Sequence, residues 1–269
     1  MPQVDSIYIY DAPDVLGLDI GAIGRMLSDL LPETQVETRT DFFTHQLARF
    51  KASQVEMLTE QIAARLEERE VHNLIAPQWR DEMAPIAPEE RGLETVYLAE
   101  ALQEVMRPLI PESERGSHHL HIVYIAQCLG QFLPDRHDLA LQIVQFGEPA
   151  IVSTTGFVEA PALPREYAFR RAQLLAMGLD EALDELDDHF AASTLGYEDQ
   201  RVTIVAAGHA LQVLFDALFG ERGCDVAACP LHQADTHEDL ATAHLSEDSK
   251  LCQRHMQMLT DAGIHPRGA

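Results

Sequence analysis

Three cysteines and one histidine near the C-terminal end of the chain have the residue types and the spacing of a metal site. They form the pattern Cys224-x4-Cys229-x22-Cys252-x2-His255 in a chain of 269 residues that has four cysteines in all. Structural zinc ions are held in a tetrahedron by four thiolates or imidazoles. The sequence therefore predicts a site for one structural zinc ion, with these four residues as its ligands.

Two alternatives to this ligand set exist. His232 is a rival fourth ligand, because it follows Cys229 by the same gap that separates the second pair. Its use would leave Cys252 as a lone and distant ligand, so the spacing favours His255. The other alternative is a group of free buried thiols beside a chance histidine. In a reducing compartment, clustered cysteines are more often metal ligands than disulfide partners. The fourth cysteine, Cys128, is expected to be a small buried residue.

A second polar group lies on a long apolar helix predicted over residues 200–220. At about 100° per residue, His209, Gln212 and Asp216 fall within about 60° of one another, so they form a candidate ligand-binding face. His209 and Asp216 lie about 10 Å apart along the axis, so a shared metal ion would need a third element. The spacing favours the alternative, in which this is a solvent-facing stripe or His209 is a core histidine bonded to a backbone carbonyl.

His119 and His121 are a further candidate pair, because alternate residues of a strand point to the same face. Such a pair can chelate a metal ion, although its apolar neighbours favour a structural role. Other catalytic motifs are missing from the sequence. It contains neither a Gly-x-Ser-x-Gly nucleophile elbow nor a glycine-rich phosphate loop that ends in Lys-Ser/Thr.

The elements that position these residues alternate between strands and helices. Strands are predicted at residues 6–10, 36–39, 119–125, 139–146 and 150–158. Helices are predicted at residues 20–31, 52–70, 97–106, 200–220 and, as two helices, 165–190. A surface loop is predicted at residues 76–92, which hold three prolines among many charges. This order predicts an α/β (α+β) fold with a mixed sheet and flanking helices over residues 1–222, followed by a zinc-binding lobe over residues 223–269.

The charge balance of the chain is strongly acidic. It has 44 acidic and 19 basic residues, which gives a formal net charge of −25. Such self-repulsion weakens the compact state in ordinary buffer, whereas at molar salt the Debye length falls to about 3 Å and the same surface is tolerated. This predicts the cytoplasm of a halophile. It also argues against duplex nucleic acid as a partner, because the sequence has no Lys/Arg cluster that would displace counterions.

The sequence predicts neither a membrane span nor an export signal. The most apolar window, residues 202–220, contains His209, Gln212 and Asp216, which a spanning helix would have to place in lipid. Asp5 stands where a signal peptide has basic residues followed by an apolar run. We therefore expect a cytoplasmic protein without a membrane partner.

The zinc pattern and the helix before it resemble the archaemetzincins, a family of metzincin-like zinc peptidases. That family carries His-Glu-x-x-His-x-x-Gly-x-x-His, followed directly by Cys-x4-Cys and later by Cys-x2-Cys. Here Cys224-x4-Cys229 resembles the first cysteine pair, and Cys252-x2-His255 resembles the second. The resemblance implies a zincin-like core over residues 1–222 and membership of an archaeal family of uncharacterised metallopeptidase-like proteins related to archaemetzincins.

The catalytic part of that pattern is missing from this sequence. Counted back without gaps from the first cysteine, Val213, Leu214 and Ala217 occupy the positions of the first histidine, the glutamate and the second histidine. Gly223 replaces the third histidine, and Leu231 replaces the family's methionine. Zinc peptidases of this type need both helix histidines as ligands and the glutamate as general base for the zinc-bound water. The sequence therefore predicts no second, catalytic zinc ion.

The residues and the resemblance thus support different functions. The resemblance associates the chain with metallopeptidases, whereas the residues argue against turnover. We expect a catalytically degenerate zinc-binding protein that binds a peptide, a protein or a small ligand in the former cleft. One alternative is an active zinc-dependent metallopeptidase with a site remodelled from His209, Asp216 and either His119 or His121. Another is a structural or regulatory protein that binds its partner through the zinc lobe.

Overall fold

The computed structural model of the chain describes residues 3–67, 96–133, 138–197 and 199–267. Its strands are β1 (Ser6–Tyr10), β2 (Gln35–Arg39), β3 (Val96–Leu98), β4 (His119–Ile125), β5 (Cys128–Leu133), β6 (Asp138–Gln142), β7 (Val144–Gln145) and β8 (Ala150–Ser153). The main sheet has the order β2-β1-β4-β8-β7, with parallel pairing except between β7 and β8. A smaller sheet has the order β3-β5-β6.

Helices and short turns connect and cover these sheets. The helices are α1 (Ile20–Leu30), α2 (Phe42–Leu47), α3 (Ala52–Glu67), α4 (Ala99–Met106), α5 (Gly156–Glu159), α6 (Arg165–Ala176), α7 (Leu183–Phe190), α8 (Val202–Phe219), α9 (His237–Leu240) and α10 (Gln253–Asp261). A π-helical turn, Ala241–Leu245, directly continues α9. Short 3-10 turns lie at Arg107–Leu109, Glu112–Glu114 and Asp180–Ala182.

The main sheet packs between two helical layers. Successive strand residues point to opposite faces, and Ile9 and Tyr10 of β1 belong to different core clusters. The cluster on the Ile9 face joins the sheet to α1 and α8 and includes Val205. The cluster on the Tyr10 face joins the sheet to α2 and α4 and includes Phe42 and Met106. Burial on both faces explains the nearly continuous apolar sequence of β4.

Helix α8 positions most of the candidate site residues. It ends at Phe219 and is capped by Gly220, whose φ of 67° lies in the left-handed region and whose N–H donates to the Asp216 carbonyl at 2.8 Å. Such a glycine satisfies the last free carbonyls of a helix. In the second turn of the helix, the Tyr124 hydroxyl donates to the Ala206 carbonyl at 2.9 Å and ties α8 to β4. The helix is therefore anchored to the centre of the sheet.

Within the part of the chain that the structure describes, α8 is the one helix that is long and apolar enough to cross a membrane. However, 61% of that segment is buried inside the protein. Val205, Leu214 and Phe215 have no exposed surface. These contacts are those of a core helix.

The predicted α/β class, with a mixed sheet and flanking helices, is confirmed. The strands predicted at residues 6–10 and 119–125 have the predicted bounds. Two further strands, β3 and β5, are not predicted by the sequence analysis. The loop predicted at residues 76–92 and the last residues of the helix predicted at 52–70 lie outside the described residues. The domain division at residue 222 stays a prediction.

Two predicted strands differ in extent from the observed ones. The strand predicted at 139–146 is wrong as a single element, because β6 pairs with β5 in the small sheet whereas β7 pairs with β8 in the main sheet. The strand predicted at 150–158 ends at Ser153. There the hydroxyls of Ser153 and Thr154 donate to the carbonyls of Gln127 and Ile125 at 2.7 and 3.0 Å, and the chain turns into α5.

Candidate metal centre

The four predicted zinc ligands come from two neighbouring segments. Cys224 and Cys229 lie in the loop after α8, where the Cys229 N–H donates to the Val226 carbonyl at 3.0 Å in a tight turn. Cys252 is the N-cap of α10, and His255 lies in the first turn of that helix. The loop and the helix start thus each supply two ligands.

The donor atoms of these four residues have the separations that a tetrahedral zinc ion requires. They all lie within 4.8 Å of one another. The sulfurs of Cys224 and Cys252 are 3.8 Å apart, and His255 Nδ1 lies 3.4 Å from Cys229 Sγ and 3.2 Å from Cys252 Sγ. Zinc–sulfur bonds of about 2.3 Å and zinc–nitrogen bonds of about 2.0–2.1 Å imply about 3.8 Å between sulfurs and about 3.5 Å from sulfur to nitrogen. The residues fit this ion.

The surroundings of the four ligands hold them in place. Cys229 and His255 have no exposed surface, and Cys229 belongs to a core cluster that includes Phe215 of α8. The His255 ring meets the Phe215 ring edge-on at a centroid distance of 5.2 Å. The Val226 N–H donates to Cys224 Sγ at 3.3 Å. Such second contacts orient metal ligands before the ion binds.

The protonation chemistry of the ligands depends on a cation. Burial and the neighbouring thiols of Cys229 and Cys252 raise the pKa of the Cys224 thiol to about 12. Burial also acts against the thiolate of Cys252, but the backbone N–H groups of His255 and Arg254 and the two other thiols outweigh it and lower the pKa of Cys252. Zinc binds thiolates and neutral imidazole, so the ion would supply the positive charge that the crowded thiols lack.

His232, the rival fourth ligand, is not in this group of donors. Its Nδ1 lies 2.8 Å from the backbone oxygen of Cys224, to which it donates. This contact holds the backbone of Cys224 and uses the Nδ1 atom of His232. The structure therefore places His232 beside the candidate centre.

The predicted polar face on α8 does not converge on one point. His209 Nδ1 lies 3.0 Å from Gln212 Oε1, and both side chains are buried. The Gln212 amide nitrogen donates to the carbonyls of Pro230 and His232 at 3.0 and 3.2 Å. Asp216 instead accepts from Arg222 Nε at 2.7 Å near the surface. His209 and Gln212 therefore form one network, and Asp216 belongs to another.

The two histidines of β4 have different environments. His121 is buried, and its nitrogens lie 3.0 Å from the Tyr10 hydroxyl and 2.8 Å from the Glu114 backbone oxygen. Burial lowers the pKa of His121. Because both nitrogens already have partners, His121 does not fit a chelating role with His119. The Nδ1 atom of His119 is buried without a hydrogen-bond partner among the described residues.

A cleft of about 240 Å³ lies between α8 and the end of the main sheet. Val213 and Ala217 of α8 line it, and these two residues occupy the positions of the helix histidines in the zinc peptidase pattern. Its polar wall comes from His119, Glu148 and Asp216. The cleft therefore has acidic and imidazole groups at its rim and aliphatic side chains at the catalytic positions.

Two buried polar groups were missed by the sequence analysis. One is His244, which is 3% exposed in the π-helical turn and whose ring lies 4.8 Å from that of His209. The other is Arg39, which donates to both Glu114 oxygens at 2.7 and 3.0 Å and to the Tyr10 hydroxyl at 2.9 Å. Burial raises the pKa of Tyr10 to about 12, so this hydroxyl stays protonated. Neither group has a spacing signal in the sequence.

Comparisons with known proteins give one family and one solved structure. The sequence model of a family described as "Probable metallopeptidase family" matches residues 3–262. No curated protein matches the chain. The crystal structure of archaemetzincin from Methanopyrus kandleri matches with a TM-score of 0.41 and 13% identity, covering 97% of this chain and 95% of that one. A TM-score this low transfers neither fold nor function.

Proposed function

The chain belongs to a probable metallopeptidase family, and we propose that it is a zinc-stabilised member that binds a ligand without hydrolysing it. One structural zinc ion holds the C-terminal lobe, residues 223–269, against α8. The ligand occupies the cleft between α8 and the end of the main sheet. The observation that carries this proposal is the contrast between a complete ligand set in the lobe and aliphatic residues at the catalytic positions of α8.

The lobe's donor set supports a structural ion. A structural zinc ion has four protein ligands, whereas a catalytic one has three and keeps a position for water or substrate. Cys224, Cys229, Cys252 and His255 already supply four donors within 4.8 Å of one another. Within the described ranges, this is the one group of three or more His, Cys, Asp or Glu side chains with metal-site geometry.

The residues at the catalytic positions support the loss of hydrolysis. Val213 and Leu214 are 2% and 0% exposed, and Leu214 belongs to the main core cluster. Neither side chain can bind zinc or take a proton from water. Restoring a site here would require polar groups in the core, where unpaired polar atoms are costly. The peptidase with a remodelled site is therefore the less supported alternative.

The lining of the cleft indicates the chemistry of its ligand. Glu148 accepts one N–H, from Gly116 at 2.9 Å, and Asp216 pairs with Arg222 through one oxygen. The second oxygen of each carboxylate can accept hydrogen bonds. A ligand with N–H donors or a positive charge, such as the amino end of a peptide, suits this lining. The formal net charge of −25 also favours a positively charged ligand.

The proposal is tested by peptide binding and peptide hydrolysis in molar salt. We expect fluorescent peptides with a free amino end to bind the zinc-loaded protein and to stay intact over hours. Glu148→Gln and Asp216→Asn should weaken binding, while the exposed Glu247→Gln serves as the matched control. Chelator-sensitive cleavage of the peptides by the parent protein would overturn the proposal.

A further inference from the structure

Two buried histidines on neighbouring elements form a second cluster of metal-binding groups, separate from the cysteine site. His209 lies in the middle of α8, and His244 lies in the π-helical turn. Each is 3% exposed, and their ring centroids are 4.8 Å apart. His209 Nε2 and both nitrogens of His244 have no hydrogen-bond partner among the described residues. Buried polar atoms without a partner call for an explanation, such as an ion or water.

The contacts of Gln212 determine which nitrogen of His209 carries the proton. The Gln212 amide nitrogen donates to two backbone carbonyls, those of Pro230 and His232. Its Oε1 atom is therefore the one that faces His209 Nδ1, at 3.0 Å. Because this oxygen can only accept, Nδ1 must be the protonated nitrogen. His209 Nε2 is left with a free lone pair, and metal-binding histidines are held by the same kind of contact through their other nitrogen.

The position of His244 is also determined by its neighbours. A Cβ atom added at Gly208 would lie 2.0 Å from His244 Nδ1, so the ring packs directly on the backbone of α8. The Phe157 ring stacks on the His209 ring at a centroid distance of 5.1 Å and an interplanar angle of 15°. π-helical turns are rare and frequently mark functional sites. The turn therefore places the His244 ring against α8 and next to the His209 ring.

We propose that His209 Nε2 and one ring nitrogen of His244 bind a second metal ion, a divalent first-row ion that prefers imidazole ligands, such as Zn²⁺ or Co²⁺. With metal–nitrogen bonds of about 2.0–2.1 Å, an ion lies about 3.2 Å from each ring centroid. The observed 4.8 Å between the centroids then corresponds to an angle of about 97° at the metal. This value lies between the angles of octahedral and tetrahedral coordination, about 90° and 109°.

The two protein ligands leave further coordination positions, which water or an added ligand would take. Neutral imidazoles offset less of the ion's charge than three thiolates do. The histidine site should therefore lose its ion to a chelator before the cysteine site does.

This site is independent of the proposed function, because neither histidine lines the cleft or belongs to the cysteine group. His232 lies between the two candidate centres. Its Nδ1 contacts the Cys224 carbonyl, and its own carbonyl accepts from Gln212. The histidine pair is thus part of the packing that connects the lobe to α8.

The test is equilibrium dialysis of the full chain against Co²⁺ and Zn²⁺ in molar salt, followed by metal analysis. The parent should hold one ion more than His209→Gln and His244→Asn, and all three should keep the ion of the cysteine site. The exposed His189→Gln is the matched control and should equal the parent. Gln212→Leu should weaken binding at the histidine site by about 10–100-fold, because it frees the His209 tautomer.

A second measurement keeps the proposal falsifiable if a variant fails to fold. A crystal of the parent soaked with Zn²⁺ should show anomalous scattering about 2.0–2.1 Å from His209 Nε2. Non-anomalous density at about 2.7–3.2 Å would identify an internal water and would overturn the proposal. Equal metal content in the folded parent and both histidine variants would overturn it as well. If the proposed function failed because the protein cleaved peptides, the metal contents of the parent and the variants would still be those expected here.

Discussion

The C-terminal lobe and the middle of α8 differ in what remains of the zinc peptidase pattern. The lobe brings Cys224, Cys229, Cys252 and His255 together at zinc-like distances. Only ten residues before the lobe, Val213 is buried with aliphatic neighbours. A structural zinc ion contributes folding free energy, whereas a catalytic one also keeps a coordination position for the reacting water. On our proposal, the chain therefore has the first kind of site without the second.

The largest expected effect is the loss of the lobe's ion. Cys252→Ser should lose one equivalent of zinc and unfold the lobe, because structural zinc sites in small domains contribute about 10 kcal/mol or more. The matched control is Cys128→Ala, since Cys128 is equally a cysteine but lies buried in β5. Metal analysis and hydrogen exchange of the lobe amides measure both effects. An unchanged zinc content in Cys252→Ser would contradict the proposal that Cys252 binds a structural zinc ion.

The next largest effect tests how the two regions are joined. Phe215 is fully buried and contacts the His255 ring from α8. Phe215→Ala should lower the free energy of unfolding by about 3–5 kcal/mol through the cavity it leaves, and zinc should stay bound. Phe169→Ala, whose side chain is 71% exposed, is the control and should change stability by less than about 0.5 kcal/mol. Loss of zinc from a folded Phe215→Ala protein would contradict the expectation that Phe215 stabilises the protein without being needed for zinc binding.

Acid should weaken the α8 region through His209. Burial lowers the pKa of His209 to about 4 from its ordinary 6.5. Between these values the unfolded chain binds a proton that the folded chain does not, so stability falls as pH drops from about 6.5 to about 4. The shift corresponds to about 3 kcal/mol. Denaturant unfolding of protein that carries zinc at the cysteine site alone should show a shallower pH dependence in His209→Gln than in the parent. An equal pH dependence in the two proteins would contradict the lowered pKa of His209.

A smaller effect tests the contact between α8 and the π-helical turn. Alanine in place of a helical glycine ordinarily stabilises a helix by about 0.5–1 kcal/mol. At Gly208 the new Cβ would clash with the His244 ring, so Gly208→Ala should destabilise the protein by about 1–3 kcal/mol. In the background of His244→Ala, the same change should be stabilising. A stabilising Gly208→Ala in the parent would show that the ring does not pack there.

The smallest effect concerns the rim of the cleft. Arg222 and Asp216 form an ion pair in which the arginine side chain is 61% exposed. Arg222→Gln should therefore change the free energy of unfolding by less than about 1 kcal/mol, and by still less in molar salt. Thermal unfolding at low and high salt measures this. If Arg222→Gln lowered the free energy of unfolding by several kcal/mol, the ion pair would stabilise the protein as much as a buried core contact does.

Most of the fold and of the cysteine site could be predicted from particular residues. The apolar run of β4 and the spacing of α1 predict their elements because strand and helix periods are local properties. The cysteine spacing predicts four ligands because zinc imposes its own geometry. The break between β6 and β7 could not be predicted, since it depends on which of two sheets each segment joins.

The histidine pair shows the limit of sequence reasoning most directly. His209 has a helical spacing, but its partner His244 lies 35 positions later in a π-helical turn, which has no periodic signature. The glycine that makes room for the partner, Gly208, has no turn or positive φ to explain it locally. Only tertiary packing brings these residues together.

The measurement that tests the central claim most directly is zinc K-edge X-ray absorption of the His209→Gln protein in molar salt. This variant removes the proposed histidine site, so the spectrum reports the remaining zinc alone. The account predicts three sulfurs at about 2.3 Å and one nitrogen at about 2.0–2.1 Å, unchanged when a peptide is added. A shell with oxygen, or one that changes with the peptide, would reveal an open catalytic zinc ion and contradict the account.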